Sequence, residues 1–369
     1  MIKILSVLPV LGQPRDSKRI GMLKKLGFEV RVLAFERKYH KGRLPDCEIK
    51  SLGKIAHGKY LARILRIIRA IPVLRKSIKA CDVVYASGPD MAYMSLFAGL
   101  FLKKTLILEV GDIRKIQVNS NMIGIIVRAI DRYFVKKCDL LIVTSPDFYE
   151  EYYSKWLKVT IPVVILENKV DDFTCSLSPI INRSIVSSKI KIGYFGLLRC
   201  EWTWNVLKRL SENDKFQIFI AGYPMISVDF SEEANNNSNI EYFGEYKSPD
   251  DLAELYGSVD IVWASYPLQK KHDWNMKWAR TNRFYESCFY KKPVICLKNT
   301  SDSKRVKHLN IGLVLQSSEV EYIVNKIGEV TEQMLDTWNT NIRSLDESIY
   351  IYSEKEMSEL KSKIVDLSK

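Results

Sequence analysis

A chain of 369 residues, 47% hydrophobic and 27% charged, has room for two domains with a core each and lacks the composition of a disordered or fibrous protein. Its seven cysteines are scattered, odd in number and without a C-x-x-C pair, which argues against a disulfide scaffold and points to reduced thiols in a cytoplasm, and its four isolated histidines have no metal-ligand spacing. The net charge of +13 is lopsided: residues 1–172 hold 31 Lys/Arg against 17 Asp/Glu, residues 173–369 hold 25 against 26, so the first half is expected to meet an anionic partner, either membrane surface or nucleic acid.

Taken in order, Met1-Ile2-Lys3-Ile4-Leu5 leads straight into a strand over Ile2–Leu8, and no signal peptide is expected. A loop with Gly12 follows; it fits either a simple turn or a close approach of backbone to a ligand. Asp16–Leu26 has helical periodicity, Gly27 ends it, and Phe28–Phe35 is the next strand, a β-α-β unit that opens a parallel sheet. No G-x-G-x-x-G dinucleotide fingerprint accompanies it. Lys54–Lys79 predicts a basic amphipathic helix, interrupted near Pro72, with Leu61, Ile64, Ile67, Ile68, Ile71, Leu74 and Ile78 on one side. Two fates fit that helix: resting on an anionic leaflet, or burying its apolar face in the domain core.

Asp82–Ser87 and Leu106–Val110 read as strands around a helix at Asp90–Leu102, and the longest charge-free apolar run of the first half, Met91–Leu102, falls short of the ~20 residues that span a bilayer. Asp112 lies just past the end of the second of these strands, where parallel sheets bind ligands; it fits a capping role or that of a base for an acceptor hydroxyl. Asn121–Lys137 is a helix with apolar Met122, Ile125, Ile126, Ala129, Ile130 and Tyr133 and a basic stripe of Arg128, Arg132 and Lys136. Asp139–Thr144, a helix near Asp147–Leu157 and a strand at Val163–Glu167 complete the half, and the polar, aperiodic stretch 172–188 reads as a linker.

The α/β rhythm then restarts with a strand at Lys191–Phe195, a glycine loop over Gly196–Arg199 and a helix from about Trp202 to Leu210. Strands at Phe216–Ala221, Ile240–Phe243 and Val259–Ser265 follow, with a helix at Ser248–Tyr256. The stretch that organises the chain is Asn275–Cys296. Lys277, Arg280 and Arg283 crowd its start, Thr281 is placed to cap a helix whose first turn is Asn282, Arg283 and Phe284, and Glu286 is the one acid among aromatics before Pro293 stops the helix. A helix N-terminus with cations before it attracts an anion, and a carboxylate one turn in can accept hydrogen bonds from sugar hydroxyls. The combination suits a diphosphate joined to a ribose.

T-N-R-F-Y-E-S-C-F-Y-K-K-P-V-I resembles the donor-binding segment of the group 1 glycosyltransferases, roughly P-N-K-x-x-E-x-x-A-x-G-K-P-V-I, with matches at Asn282, Glu286, Lys292, Pro293 and Val294. The resemblance runs from about residue 190 to 316 and thins to pattern level before 171. It implies a GT-B fold: two Rossmann-like β/α/β domains with a cleft between them, residues 1–171 on the acceptor side, the linker at 172–188, residues 189–345 holding the nucleotide-sugar, and a helical tail at 346–369 that can return to the first domain. It further implies that Glu286 holds the ribose, that Gly196 lets backbone approach the diphosphate while Arg199 pairs with it, and that Tyr246 lies near the base. The E-V-G-D-I stretch resembles the strand end where some of these enzymes keep an active-site aspartate, here Asp112.

Trp278 stands where many retaining members have a glutamate, which leaves the stereochemical outcome open. No D-x-D triplet occurs, which argues against a metal-dependent GT-A enzyme; no metal and no cofactor beyond the nucleotide-sugar substrate are expected. The sequence thus points to a cytoplasmic transferase, peripheral on the inner face of the plasma membrane through its basic first half. Its expected task is to move a sugar from a nucleotide-sugar to a glycan or lipid-linked glycan in surface-polysaccharide assembly, with no nucleic-acid partner. A GT-B nucleotide-sugar epimerase and a non-catalytic basic binding protein are the rivals.

Overall fold

The computed structural model describes residues 1–36, 44–54, 60–176, 189–268 and 274–369. It divides into two compact units, Met1–Asn168 with Ser353–Lys369, and Lys169–Tyr352. The expected boundary at 171 therefore moves to 168/169, and the expected tail divides: 346–352 stay with the second unit and Ser353–Lys369 belongs to the first. Of the expected linker, Asp172–Ser176 forms a short helix of the second unit, and 177–188 lie outside the described residues.

In the first unit the elements run β1 (Lys3–Leu8), α1 (Pro14–Lys25), β2 (Glu29–Glu36), β3 (Glu48–Lys54), α2 (Tyr60–Lys79), β4 (Val83–Ser87), α3 (Pro89–Ala98), β5 (Thr105–Val110), α4 (Lys115–Val118), α5 (Met122–Val135), β6 (Leu140–Val143) and β7 (Val163–Ile165). A π-helical stretch, Phe148–Trp156, precedes β7. The strands form one parallel sheet in the order β3-β2-β1-β4-β5-β6-β7. Strand order reverses between β1 and β4, the switch point at whose carboxyl edge open α/β sheets hold ligands. The central strands are buried almost throughout, as parallel strands covered on both faces must be.

Two expectations for this unit change. β3 escapes the sequence reading because it is an edge strand: Leu52 is its one buried residue, and an edge strand needs few apolar side chains. The helix expected over Lys54–Lys79 begins at Tyr60, Lys54 ends β3, and 55–59 lie outside the described residues. Pro72 sits inside the continuous helix. Ala70, Leu74 and Ile78 of α2 are buried, so this half of the helix packs into the domain; the side chains of Leu61, Ile64 and Ile67 lie outside those described.

The second unit runs α6 (Asp172–Ser176), β8 (Ile190–Leu198), α7 (Glu201–Leu210), β9 (Phe216–Pro224), α8 (Phe230–Asn236), β10 (Ile240–Gly244), α9 (Leu252–Gly257), β11 (Ile261–Trp263), α10 (Trp274–Trp278), α11 (Asn282–Phe289), β12 (Val294–Leu297), α12 (Ser301–Leu309), β13 (Gly312–Leu315), α13 (Val320–Gly328) and α14 (Glu332–Arg343). Its sheet is also parallel, in the order β10-β9-β8-β11-β12-β13, with the switch point between β8 and β11. The chain returns to the first unit as α15 (Glu354–Leu367), whose Leu367 carbonyl accepts a 2.6 Å hydrogen bond from Thr105 Oγ1.

The glycine loop expected at Gly196–Arg199 is shorter. β8 continues through Leu198, paired with β9 as far as Pro224. Gly196 (φ +123°) faces Gly222 (φ +147°), and a Cβ on Gly222 would lie 1.7 Å from the Gly196 carbonyl oxygen, so this close crossing at the strand ends requires glycine.

Candidate functional site

The donor candidates gather at the switch point of the second unit. α11 is built as its sequence predicts: Thr281 caps it, its Oγ1 accepting from Phe284 N–H at 3.3 Å. Arg283 in the first turn is 8% exposed and ties the two switch-point strands together. Its Nη1 donates to the carbonyl of Trp263 at the end of β11 at 2.9 Å, and its Nη2 donates to the Tyr266 hydroxyl. The guanidinium lies 5.1 Å from the ring centroid of Tyr194 on β8 and 5.0 Å from that of Tyr266, a stacked arrangement that planar Arg supports and Lys does not. No carboxylate pairs with it among the described residues. A buried cation without an anion is costly, so the position calls for an anionic ligand. Gly196 is next to it: a Cβ there would lie 3.9 Å from Nη2. Arg199 also approaches Tyr266, its guanidinium 5.7 Å from that ring.

One turn deeper, Glu286 is buried and accepts a 2.8 Å hydrogen bond from the Tyr256 hydroxyl through Oε2. Its other oxygen accepts none among the described residues. Burial first, and then the charge of Glu286, push the Tyr246 and Tyr256 hydroxyls well above the ordinary phenol value. Both therefore remain protonated donors beside the Glu286 side chain, and Tyr256 stacks on Tyr290 at 5.0 Å.

The start of α11 is fixed from α12. Thr281 Oγ1 donates to Asp302 Oδ2 at 2.7 Å, and Thr281 N–H lies 3.2 and 3.3 Å from the two oxygens of the same carboxylate. Arg280 Nη2 donates to Ser301 Oγ at 3.2 Å, and the Arg280 guanidinium packs over Phe284. Asp302 is buried, and burial raises its pKa to about 6 despite the Thr281 hydrogen bonds and nearby Arg280. A carboxyl whose folded pKa is raised favours the folded state when protonated, so its ionisation costs stability as pH rises from about 4 through 6. Asp302→Asn, neutral at every pH, is expected to be close to wild type in urea midpoint near pH 4.5. Near pH 7.5 the gap should widen in the variant's favour, up to about 3 kcal/mol. A gap that is constant with pH would remove the ionised buried carboxylate from the account.

In the first unit, Asp112 lies two residues beyond β5 and is 66% exposed, with Arg15 Nη1 3.6 Å from its Oδ2. Gly12 (φ +87°) follows β1 at the same carboxyl edge. Arg15, in the first turn of α1, fills the space over Gly111: a Cβ there would meet its Nη1 at 1.4 Å. Beneath it lies a polar network inside the sheet. Arg19 forks onto Glu109, Nε to Oε2 and Nη2 to Oε1 both at 3.0 Å, and Tyr85 donates to the same carboxylate. Ser87 Oγ donates to Asp16 at 2.7 Å.

Residues 205–351 match the family described as glucosyltransferase 3-like, C-terminal domain. The whole chain is 29% identical over 348 residues, 90% of its length and 85% of that protein, to the succinoglycan biosynthesis protein ExoL of Rhizobium meliloti. Among solved structures, sucrose-phosphate synthase from Thermosynechococcus elongatus superposes with a TM-score of 0.73 at 13% identity, covering 99% of each chain. Anabaena Alr3699/HepE in complex with UDP does so with 0.69 at 14%, again over 99% of each. The chain is a glycosyltransferase of the GT-B fold.

Of the transferase's expected donor residues, Gly196, Arg199, Arg283, Glu286 and Tyr246 are brought into one neighbourhood around Tyr266 and Tyr256. Lys277 is placed differently, on α10 with its Nζ 5.2 Å from the Trp274 ring, and Arg280 turns toward Ser301. Asn282 is exposed at the first position of α11. The sequence reading missed Tyr194, Tyr256, Tyr266 and Asp302. Tyr266 carries a signal in hindsight, lying just beyond the carboxyl end of switch-point strand β11, whereas Tyr194 sits in the middle of β8. Asp302 carries only its place in the first turn of a capped helix, and its contact with Thr281 spans 21 residues.

Proposed function

We propose that the transferase moves a sugar from a nucleoside-diphosphate sugar, a uridine diphosphate sugar first, to a glycan or lipid-linked glycan in the assembly of an extracellular polysaccharide. The observation that carries the reading is Arg283, a buried guanidinium with no carboxylate partner among the described residues, one turn from Glu286 at the switch point of a parallel sheet. A diphosphate supplies the missing anion, and the open oxygen of Glu286 suits a ribose hydroxyl. The uridine carrier follows the UDP of the Anabaena structure, and the polysaccharide follows the name of the Rhizobium relative.

Charge that develops on the departing diphosphate would be met by Arg283, Arg199 and the N-terminus of α11, which replace a metal ion in that task. Asp112 is the proposed base if the reaction inverts; its exposure leaves it open to an acceptor hydroxyl, and Arg15 orients it. If the reaction retains configuration, Glu286 serves binding alone.

The test is thermal shift against UDP-, GDP-, dTDP- and CMP-sugars in the presence of a chelator. UDP-sugars are expected to stabilise wild type, by about 3 kcal/mol at a hundredfold excess over Kd. A folded protein that responds to none of the four classes overturns the reading, and a response that vanishes with the chelator overturns metal independence.

A further inference from the structure

α5 is built inside out. Its one acidic residue, Asp131, is 3% exposed and points into the first unit, where Gln117 Nε2 donates to it at 2.6 Å and the hydroxyls of Tyr93 and Tyr152 also donate. Gly124 lies on the same inner side, its N–H capped by Asn121 at 2.9 Å; a Cβ there would lie 2.1 Å from the Asn119 carbonyl oxygen. Val135 completes the buried side. The helix thus rests on a glycine, a valine and a hydrogen-bonded carboxylate, and its apolar stripe faces outward. Met122 is 71% exposed, and Ile123, Ile125, Ile126, Ile130 and Tyr133 are all exposed as well. Scattered exposed apolar residues need no explanation, but a contiguous stripe along about three turns does.

The stripe continues onto the end of α3. Phe134 stacks on Tyr93 at 4.5 Å and meets Phe97 at 5.9 Å, and Phe97, Leu100 and Phe101 are exposed, Phe101 to 90%. Cations frame the surface: Lys115, Arg132, Lys136 and Lys137 are exposed, Lys137 lies 5.6 Å from the Tyr133 ring, and Lys103 follows Phe101. Between Lys115 and Lys137 the only acid is the buried Asp131. Apolar side chains ringed by cations, with acid withdrawn from the surface, complement an anionic lipid leaflet: the stripe enters the acyl boundary and the cations meet the headgroups. Among the described residues no helix is long and apolar enough to cross a membrane, so this contact lies in the interface plane.

We infer that the exposed face of α5, with the Phe97–Phe101 turn, docks the protein on an anionic membrane surface. This places the membrane contact on α5; in α2, Ala70, Leu74 and Ile78 are spent on the core and Ile68 is exposed. It deepens the lipid-linked reading proposed above, yet vesicle binding is measured without donor or acceptor, so the two fail separately.

The experiment is co-sedimentation of the full chain with phosphatidylcholine vesicles, with and without phosphatidylglycerol, at low and high salt. Wild type is expected to bind the phosphatidylglycerol vesicles and to be released by salt. Ile126→Glu/Ile130→Glu should weaken binding by about tenfold or more, and Arg132→Glu/Lys136→Glu by a comparable factor with loss of the salt response. All four positions are exposed, and an unchanged donor-induced thermal shift will confirm that the variants fold. Wild type that responds to donor but ignores phosphatidylglycerol vesicles overturns the inference, as does equal binding by the isoleucine variant. A wild-type dimer in sedimentation that the isoleucine variant dissolves, without vesicle binding, also overturns it and makes a second copy the occupant.

Discussion

Arg19→Ala is expected to cost the first unit about 3–5 kcal/mol, the largest stability effect of any single substitution considered. Arg19 and Glu109 are buried between α1 and β5, and the pair is bidentate. Burial alone would raise the Glu109 carboxyl, but Arg19 and the Tyr85 hydroxyl hold it below the ordinary glutamate range, so it is ionised in the folded state. Truncating Arg19 leaves that carboxylate buried with Tyr85 as its main remaining donor and also removes the 3.1 Å bond from Nη2 to the Leu166 carbonyl, which ties the end of the unit to α1. The loss comes from the orphaned charge more than from the missing attraction. Arg19→Met/Glu109→Leu should therefore recover most of it, because no charge is left behind. Hydrogen exchange of the β1, β4 and β5 amides reads the effect locally, without assuming that two units unfold as one. Equal exchange in wild type and Arg19→Ala would sink the argument; a double variant as unstable as the single one would assign the loss to packing.

The fold was legible where a residue pattern answers to a local rule. Alternating strands and helices with glycine and proline stops announced parallel α/β units, and Thr281 marks the start of α11, which ends at Phe289, four residues before Pro293. What escaped was set by partners distant in sequence. Periodicity shows that α5 has an apolar stripe but not which side packs; that is decided by Asp131 meeting Tyr93, Gln117 and Tyr152, three residues on three other segments. Glu109 reads as one polar residue in an apolar strand until Arg19, ninety residues away, is placed beside it. Among the cations around the start of α11, spacing cannot say that Arg283 turns inward to Trp263 and Tyr266 while Arg280 turns to Ser301, because the difference lies in the end of β11 and the start of α12. Gly196 was legible as a glycine, but its φ of +123° and the close crossing that forces a glycine at its partner Gly222 were not.

Arg283→Met is expected to abolish the donor-induced thermal shift and to lower kcat/KM by about 10²–10³-fold, the range for removing one preorganised charge donor from a transition state. Methionine fills the slot between Tyr194 and Tyr266 without a charge, so the uncomplexed protein should keep its stability or gain some, since a buried cation without a carboxylate is removed. Arg283→Lys should recover little: one ammonium cannot keep the bond to the Trp263 carbonyl, reach Tyr266 and stack between two rings at once. Glu286→Ala is expected to act on binding, weakening donor affinity by about ten- to a hundredfold, as for a hydrogen bond to a charged group, with a smaller change in kcat if it holds ribose alone. The two variants together separate the halves of the ligand. UDP alone should depend on both residues, uridine only on Glu286, and inorganic diphosphate only on Arg283. If Arg283→Met binds UDP-sugar as wild type does, the buried guanidinium is a structural strut between β11 and α11 and the anion site lies elsewhere. If Glu286→Ala lowers kcat as far as Arg283→Met with affinity intact, the carboxylate faces the reacting sugar and its proposed contact with ribose is wrong.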